Sequence, residues 1–208
     1  MKGGYNPYHK MTASEFRSVV GDYASELEMF KKTKRLTIER IEFPVRQKIW
    51  FQKLRTGAYR PTNSVSAIPF GANSIIHEVL DVKHRQCNFH QHPRRWRNIS
   101  AAMNEQYSPN PQKTIDHHSL LIWCRSAADA IPSPHPSYRL FEAILGAWLG
   151  RLEDARLACD QAIHFQDWMD RPEPDWLEEI RKNASLLLSK IEAGEHSEFL
   201  QSMNEGFA

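Results

Sequence analysis

Residues 138–165 constrain the fold most, because they have the spacing of two amphipathic helices joined by a turn. The apolar residues at helical spacing are Leu140, Ile144, Leu145 and Trp148, then Leu152, Ala155, Cys159, Ala162 and Ile163. Gly150 stands where a helix end favours a left-handed residue, and Glu153 and Asp154 follow where a helix dipole favours carboxylates. The sequence therefore predicts a helical hairpin that turns at Gly150.

Small residues in this hairpin have the spacing of a known helical repeat. They are Ala143, Gly150, Ala155 and Ala162, with an A-x3-C-x2-A run in the second helix. On these residues the segment resembles one tetratricopeptide (TPR) unit. No second copy follows at that period, so the resemblance implies a single TPR-like hairpin inside a larger helical layer.

The first half of the chain changes from a helical to an alternating pattern. A capping box, Thr12 to Glu15, opens a predicted helix at residues 13–32. Strands are then predicted at 36–43, 45–54, 64–70 and 83–91, with a turn-rich connection at 56–63. The segment 74–82 fits a strand or a short helix, and the strand is favoured. We expect this helix to pack on a small, mostly antiparallel sheet.

The remaining segments have helical spacing. Helices are predicted at 96–107 and 115–130, in the hairpin, and from Trp176 to Ile191, with a last short helix at 195–204. The proline-containing segment 108–111 is the best candidate for a domain boundary. The prediction is an α+β protein with an α+β region at 1–107 and a helical region at 112–208.

The order of elements in the first half resembles a family of small bacterial α+β domains. The resemblance rests on a helix, paired strands with Phe51-Gln52-Lys53, and a basic segment that contains Cys87 and ends before an Arg/Trp cluster. That family has no known function, and some members occur in toxin and immunity neighbourhoods. The resemblance implies a small bacterial α+β fold for this half of the chain.

Bulk composition limits the classes of function. The net charge is +2 and the pI is about 8.4, which is a weak positive bias. The three cysteines, Cys87, Cys124 and Cys159, are odd in number and far apart, so we expect free thiols in a reducing compartment. No secretory signal or membrane span is recognisable, so a cytoplasmic protein is expected.

Histidines near Cys87 suggest a metal site. A zinc ion takes nitrogen and sulfur ligands, and residues two apart on a strand share one face. A strand at 83–91 would direct His84, His90 and His92 to one side, and Cys87 to the other. A site formed by the three histidines is one hypothesis, and a polar strand beside a basic loop is the other.

The same stretch is the most basic part of the sequence. It contains Arg85, Arg94, Arg95 and Arg97, with Phe89 and Trp96 interleaved. Guanidinium groups beside aromatic rings can bind phosphates and stack on bases. The alternative interpretation is a solvated surface with one anchoring tryptophan.

An acidic, aromatic segment after the hairpin is a candidate for binding a protein partner. Its candidate residues are Asp167, Trp168, Asp170, Glu173 and Asp175. A tryptophan anchor among carboxylates suits a basic protein surface. The alternative is a loop whose tryptophan packs back onto the hairpin.

Motifs for catalysis and for cofactors are missing from the sequence. There is no nucleophile elbow, phosphate-binding glycine loop or H-E-x-x-H, so neither an enzyme nor a cofactor is expected. The leading prediction is a non-catalytic protein-binding protein, with an immunity or inhibitor role as its concrete form. The alternative is a nucleic-acid-binding or processing protein that uses residues 83–97.

Overall fold

The computed structural model describes residues 11–33, 36–71, 75–130, 135–166 and 174–205, and it has the predicted α+β fold. The helices are α1 Ala13–Glu26, α2 His92–Gln106, α3 His117–Asp129, α4 Pro136–Trp148, α5 Leu152–Ile163, α6 Asp175–Glu192 and α7 His196–Glu205. The strands are β1 Lys31–Lys32, β2 Thr37–Glu42, β3 Val45–Lys53, β4 Ala58–Ala67, β5 Ile76–Val79 and β6 Cys87–Asn88. They form one sheet in the order β1-β2-β3-β4-β5, and β6 pairs with β4.

Helix α1 begins where the sequence predicts and ends earlier. The capping box is present, because the Thr12 hydroxyl accepts from the Glu15 amide and the Glu15 carboxylate accepts from the Thr12 amide at 2.7 Å. The prediction that this helix extends to residue 32 is wrong, since it ends at Glu26 and the chain enters β1. Phe30 is still buried, so the apolar repeat continues into the core after the helix has ended.

The third long strand is longer than the sequence suggests. Strand β4 starts at Ala58, so the predicted turn at 56–63 and strand at 64–70 are both misplaced. Gly57 has a φ of 72°, which lets β3 turn directly into β4. Pro61 fits inside the strand, and its carbonyl accepts a hydrogen bond from the Tyr107 hydroxyl at 2.9 Å.

The chain forms two compact units. Unit 1 comprises Met1–Ile41, Gln47–Val65 and Ile76–Thr114, and unit 2 comprises Glu42–Arg46, Ser66–Ile75 and Ile115–Ala208. In unit 1, α1 and α2 pack on one face of the sheet. Tyr23 of α1 contacts Phe51 of β3, with ring centroids 4.8 Å apart, and Trp96 of α2 packs edge-on against Tyr23 at 5.9 Å.

Four buried or half-buried polar side chains, one from each of β2 to β5, cross the same face of the sheet. This polar ladder consists of Arg40, Gln47, Asn63 and Glu78, and the hydrogen bonds between successive members measure 2.8, 2.9 and 2.9 Å. Buried polar groups need such partners, because an unpaired one costs about 1–3 kcal/mol. The ladder therefore keeps a polar row inside an otherwise apolar core.

The polar ladder also holds the segment that follows α2. Its side chains donate hydrogen bonds to the backbone carbonyls of Ser108, Pro109, Asn110 and Lys113. Glu78 accepts from the Ser108 amide at 2.9 Å. Residues 108–113 are thus fixed through their backbone.

Unit 2 contains helices α3 to α7, and the predicted hairpin is α4 and α5. Gly150 has a φ of 72°, as its place at the turn requires. The two helices approach closely, since a Cβ atom at Gly146 would lie 3.2 Å from the Ala155 Cβ. Glu142 is buried and is paired with Arg125 at 2.8 Å and Arg139 at 2.9 Å. Across the described ranges, no helix combines the length and apolar character needed to cross a bilayer.

Candidate functional site

The basic stretch 83–97 is a turn and the start of a helix, so the predicted strand at 83–91 is wrong. Only Cys87 and Asn88 form a strand, and α2 begins at His92, four residues before the predicted start. Pro93 occupies the first turn of α2, where its missing N–H costs nothing. Pro93 is therefore compatible with a helix that begins at His92.

The three predicted metal ligands do not share one strand face. His84 is half-buried and its Nδ1 lies 2.9 Å from an Asp81 carboxylate oxygen, whereas His90 is exposed in the turn before α2. His92 is buried, with hydrogen-bond partners on both ring nitrogens. No group of three or more His, Cys, Asp or Glu residues in the described part of the chain is arranged to hold a metal ion.

His92 belongs to a buried hydrogen-bond network. Its Nδ1 lies 2.8 Å from the Tyr59 hydroxyl, and its Nε2 lies 2.8 Å from an Asp22 carboxylate oxygen. The Tyr59 hydroxyl is in turn 2.9 Å from that of Tyr23. Burial raises the pKa of both tyrosines far above the ordinary value, so their hydroxyls remain protonated.

This network has no access for a substrate at its inner end. Tyr23 and Tyr59 are fully buried, and Asp22 is the member with a substantially exposed side chain. Cys87, beside Tyr59, is also buried, and burial raises the pKa of its thiol. A buried thiol that stays protonated is a poor nucleophile. We interpret the network as a link between α1, β4 and α2.

The other two cysteines are buried in unit 2. Cys124 and Cys159 are free, as predicted, and both are fully buried. Burial raises the pKa of Cys159 to about 12 and that of Cys124 further. These thiols are typical of structural cysteines.

The fold adds a cation from a second segment to the basic stretch. Strand β6 pairs with the start of β4, with Ala58 opposite Asn88, and the Phe89 amide donates to the Gly57 carbonyl at 3.2 Å. The β3–β4 turn, which carries Arg55, therefore lies beside residues 83–91. The basic surface, as we define it, consists of the exposed residues Arg55, Lys83, Arg85, Arg94 and Arg97.

Two predicted residues of this stretch have mainly structural contacts. Arg95 donates to the Lys83 carbonyl at 2.7 Å and to the Gln91 side chain at 3.2 Å, which ties the turn to α2. Trp96 packs against the core of unit 1, and the Arg97 guanidinium lies 5.1 Å from its ring centroid. Neither is a freely exposed binding group.

The cations of the basic surface are available to a ligand. None of the five forms an ion pair with another residue in the described ranges. The carboxylate of nearby Asp81 is occupied by His84 and by the Gln106 amide at 3.0 Å. Arg94 also lies in the first turn of α2, where the helix dipole disfavours a cation by about 0.3–1 kcal/mol.

The two units have opposite formal charges. Unit 1 has 18 Lys and Arg against eight Asp and Glu, which gives +10, and unit 2 has nine against 17, which gives −8. The sequence total of +2 hides this separation. Counting charges separately in the strand-rich and helical halves is the signal that could have revealed it.

The face of the sheet away from α1 and α2 carries a tryptophan that the sequence interpretation missed. In β3 the buried residues Gln47, Ile49 and Phe51 alternate with Lys48 and Trp50. Trp50 is 39% exposed, which is unusual for so large an apolar side chain. The signal was the alternation of β3 itself, which assigns Trp50 and Phe51 to opposite faces.

Of the predicted partner-binding residues, four lie outside the described residues. These are Asp167, Trp168, Asp170 and Glu173. The fifth, Asp175, is exposed in the first turn of α6, together with Glu178. Carboxylates are favoured there by the helix dipole, which is sufficient reason for their position.

Comparison of the chain with models of protein families, with curated proteins and with solved structures gives no match.

Proposed function

We propose that this protein is a non-catalytic binding protein whose unit 1 binds nucleic acid through the basic surface. The observation that carries the proposal is the pairing of β6 with β4, which brings the turn that carries Arg55 beside the segment that carries the other four cations of the basic surface. Neutralising backbone phosphates releases counterions, and this release supplies most of the affinity of basic surfaces for nucleic acid. The formal charge of +10 on unit 1 favours the same class of ligand.

The position of Arg94 adds support that is independent of charge counting. A carboxylate, and not a guanidinium, stabilises the first turn of a helix. Arg94 is exposed there without an ion pair to a described residue, so no contact within the described fold accounts for a cation at this position. Binding of a phosphate would account for it.

The test measures the binding of labelled oligonucleotides by fluorescence anisotropy at salt concentrations from about 50 to 200 mM. Arg94→Glu should weaken binding and reduce the slope of log K against log salt by roughly 0.7 or more for a single strand. The same substitution should leave thermal stability unchanged or raise it, because a carboxylate suits the helix N-terminus. Lower affinity with undiminished stability separates a binding role from a folding role.

A matched control changes an exposed cation of the acidic unit. Lys182 is exposed on α6 in unit 2, so Lys182→Glu should leave oligonucleotide binding unaltered. If the wild-type protein binds neither DNA nor RNA at low salt, the proposal is wrong. It is also wrong if Lys182→Glu and Arg94→Glu weaken binding equally.

The charge of unit 2 favours a second candidate function, the binding of a cationic protein as an inhibitor or immunity protein. Unit 2 has a formal charge of −8, and Asp175, Glu178 and Glu179 are all exposed at the start of α6. Charge complementarity of this kind directs association and selects partners. The TPR-like hairpin and the segment around Trp168 belong to this proposal.

Co-purification tests the second function. A partner captured from native lysate by the wild-type protein should be lost when Glu178→Lys and Glu179→Lys are combined, and it should be retained by the Arg94→Glu variant. Equal capture by all three proteins would contradict an acidic docking site on α6.

A further inference from the structure

The face of the unit 1 sheet away from α1 and α2 carries aromatic and basic residues suited to base stacking. The outer sheet face, as we define it, consists of the exposed or half-buried residues Ile41, Lys48, Trp50, Arg60 and Val79, whereas Thr62 and Ser64 on the same face are buried. The hydrogen bonds of the polar ladder place its four members on the face that packs against α1 and α2. Residues an odd number of positions away along the same strands therefore lie on the outer sheet face. Two further contacts agree: Glu39 pairs with Lys48 at 3.9 Å, and Thr62 is the register partner of Val79.

The outer sheet face is accessible around its central strand. Trp50 is 39% exposed, and Ile41 and Val79 are similarly exposed. Strand β3 has two strands on each side in the sheet order, so Trp50 stands near the middle of the sheet. An exposed aromatic ring at that position can contact a ligand lying across several strands.

Cations flank the tryptophan on this face. Lys48 is two residues from Trp50 on the same strand, and Arg60 lies on the adjacent β4. The Arg60 Nε has no hydrogen-bond partner among the described residues. Lys48 has only a long, exposed contact with Glu39, of a kind that contributes little. Lys48 is therefore available to a phosphate, whereas the Arg60 Nε is buried.

The outer sheet face and the basic surface are connected by the chain itself. Arg55 follows Trp50 by five residues, so the two are separated by at most about 17 Å at the rise of an extended strand. A short oligonucleotide can therefore contact both, with phosphates at the basic surface and a base at the tryptophan.

We propose that the outer sheet face binds single-stranded nucleic acid and that Trp50 stacks on one of its bases. This inference depends on the proposed nucleic-acid function and specifies its substrate class. Bases of a duplex are stacked on one another and are not available to an aromatic side chain, whereas those of a single strand are. Positive charge beside the aromatic ring favours a polyanion as the ligand. An acidic protein would need a more continuous apolar patch on this face in order to dock.

The experiment compares three ligands of equal length on the full chain: oligo(dT) of about 15 nucleotides, an abasic strand and a duplex. Wild-type protein should bind oligo(dT) more tightly than either of the others. Trp50→Ala should weaken oligo(dT) binding roughly tenfold or more, because one base–aromatic stack is lost, and should leave abasic binding unchanged. Trp50→Phe keeps an aromatic ring and should lose much less affinity for oligo(dT).

Leu157→Ala is the matched control, because Leu157 is an exposed apolar residue of unit 2. This substitution should leave the affinity for all three ligands unchanged. Circular dichroism shows whether the Trp50 variants remain folded. If Trp50→Ala does not, wild-type binding to oligo(dT) compared with the abasic strand still tests stacking. Equal binding of oligo(dT) and abasic strand, or of duplex and single strand, would overturn stacking while leaving the basic surface intact. Failure to bind any of the three would overturn both proposals.

Discussion

His92 shows how a residue with the chemistry of a metal ligand can have a purely structural role. Both ring nitrogens are used, one by Tyr59 and the other by Asp22. Its position at the start of α2 directs the ring into the core, where the network connects it to Tyr23 of α1. A buried imidazole with two partners costs less free energy than one left unpaired.

Two tyrosine substitutions test this network. Tyr59→Phe removes the hydroxyl that bridges Tyr23 and His92, so it leaves two buried polar groups without their partner and should cost about 1–3 kcal/mol of unfolding free energy. Tyr23→Phe removes only the terminal hydroxyl and should cost about 0.5–1.5 kcal/mol. Urea denaturation measures both, and a larger loss in Tyr23→Phe would contradict the proposed order of the network.

Single residues were predictable where the signal is local. The capping box at Thr12 and the turn at Gly150 depend on neighbours within a few positions, so the sequence predicts them correctly. The role of His92 depends on residues 33 and 70 positions away, which no local pattern reveals. The basic surface was predictable in part for the same reason: Arg85, Arg94 and Arg97 were identified, whereas Arg55 joins them only through sheet pairing.

At the level of elements, β5 contributes a carboxylate whose protonation should affect stability. Burial raises the pKa of Glu78, and the hydrogen bonds from the Ser108 amide and Asn63 offset this only in part. Because the pKa is higher in the folded protein, the stabilising contribution is complete below the ordinary pKa of 4.5 and is lost as pH rises through the folded pKa.

Glu78→Gln removes this titration while the amide oxygen can still accept the same hydrogen bonds. The difference in unfolding free energy, wild type minus Glu78→Gln, should therefore fall as pH rises from about 4.5 toward neutrality. Urea denaturation over this pH range gives the difference. Glu105→Gln, at an exposed position of α2, is the control, and parallel curves for wild type and Glu78→Gln would be the contrary result.

The helical elements were predicted more accurately than the strands. Helices α3 to α7 have strong apolar spacing, so packing within unit 2 agrees with their local preference. The prediction of a strand at 83–91 was wrong because polar residues that alternate along a turn have the same sequence pattern as a strand. Strand β4 was assigned too short because Gly57 and Pro61, which usually mark turns, allow a strand to start between them.

For the whole molecule, opposite charge on the two units should be detectable in chromatography. A net charge of +2 predicts weak retention on any ion exchanger, but a resin responds to local patches, since charges are screened beyond about 10 Å at an ionic strength of about 0.1 M. We expect the protein to be retained by both cation and anion exchangers at about that ionic strength near pH 7. Combined Arg85→Glu, Arg94→Glu and Arg97→Glu should shorten retention on the cation exchanger only. Flow-through on either resin by the wild type would contradict the charge separation.

The polar ladder has a consequence for how the chain can vary over evolution. It binds residues 108–113 through carbonyl oxygens, and every amino acid supplies one. Exposed positions such as Gln112 are therefore open to drift in identity. An inserted residue, in contrast, would move the carbonyls out of register with the ladder. At the exposed positions between Tyr107 and Ile115, natural selection should therefore preserve the number of residues more strictly than their kind.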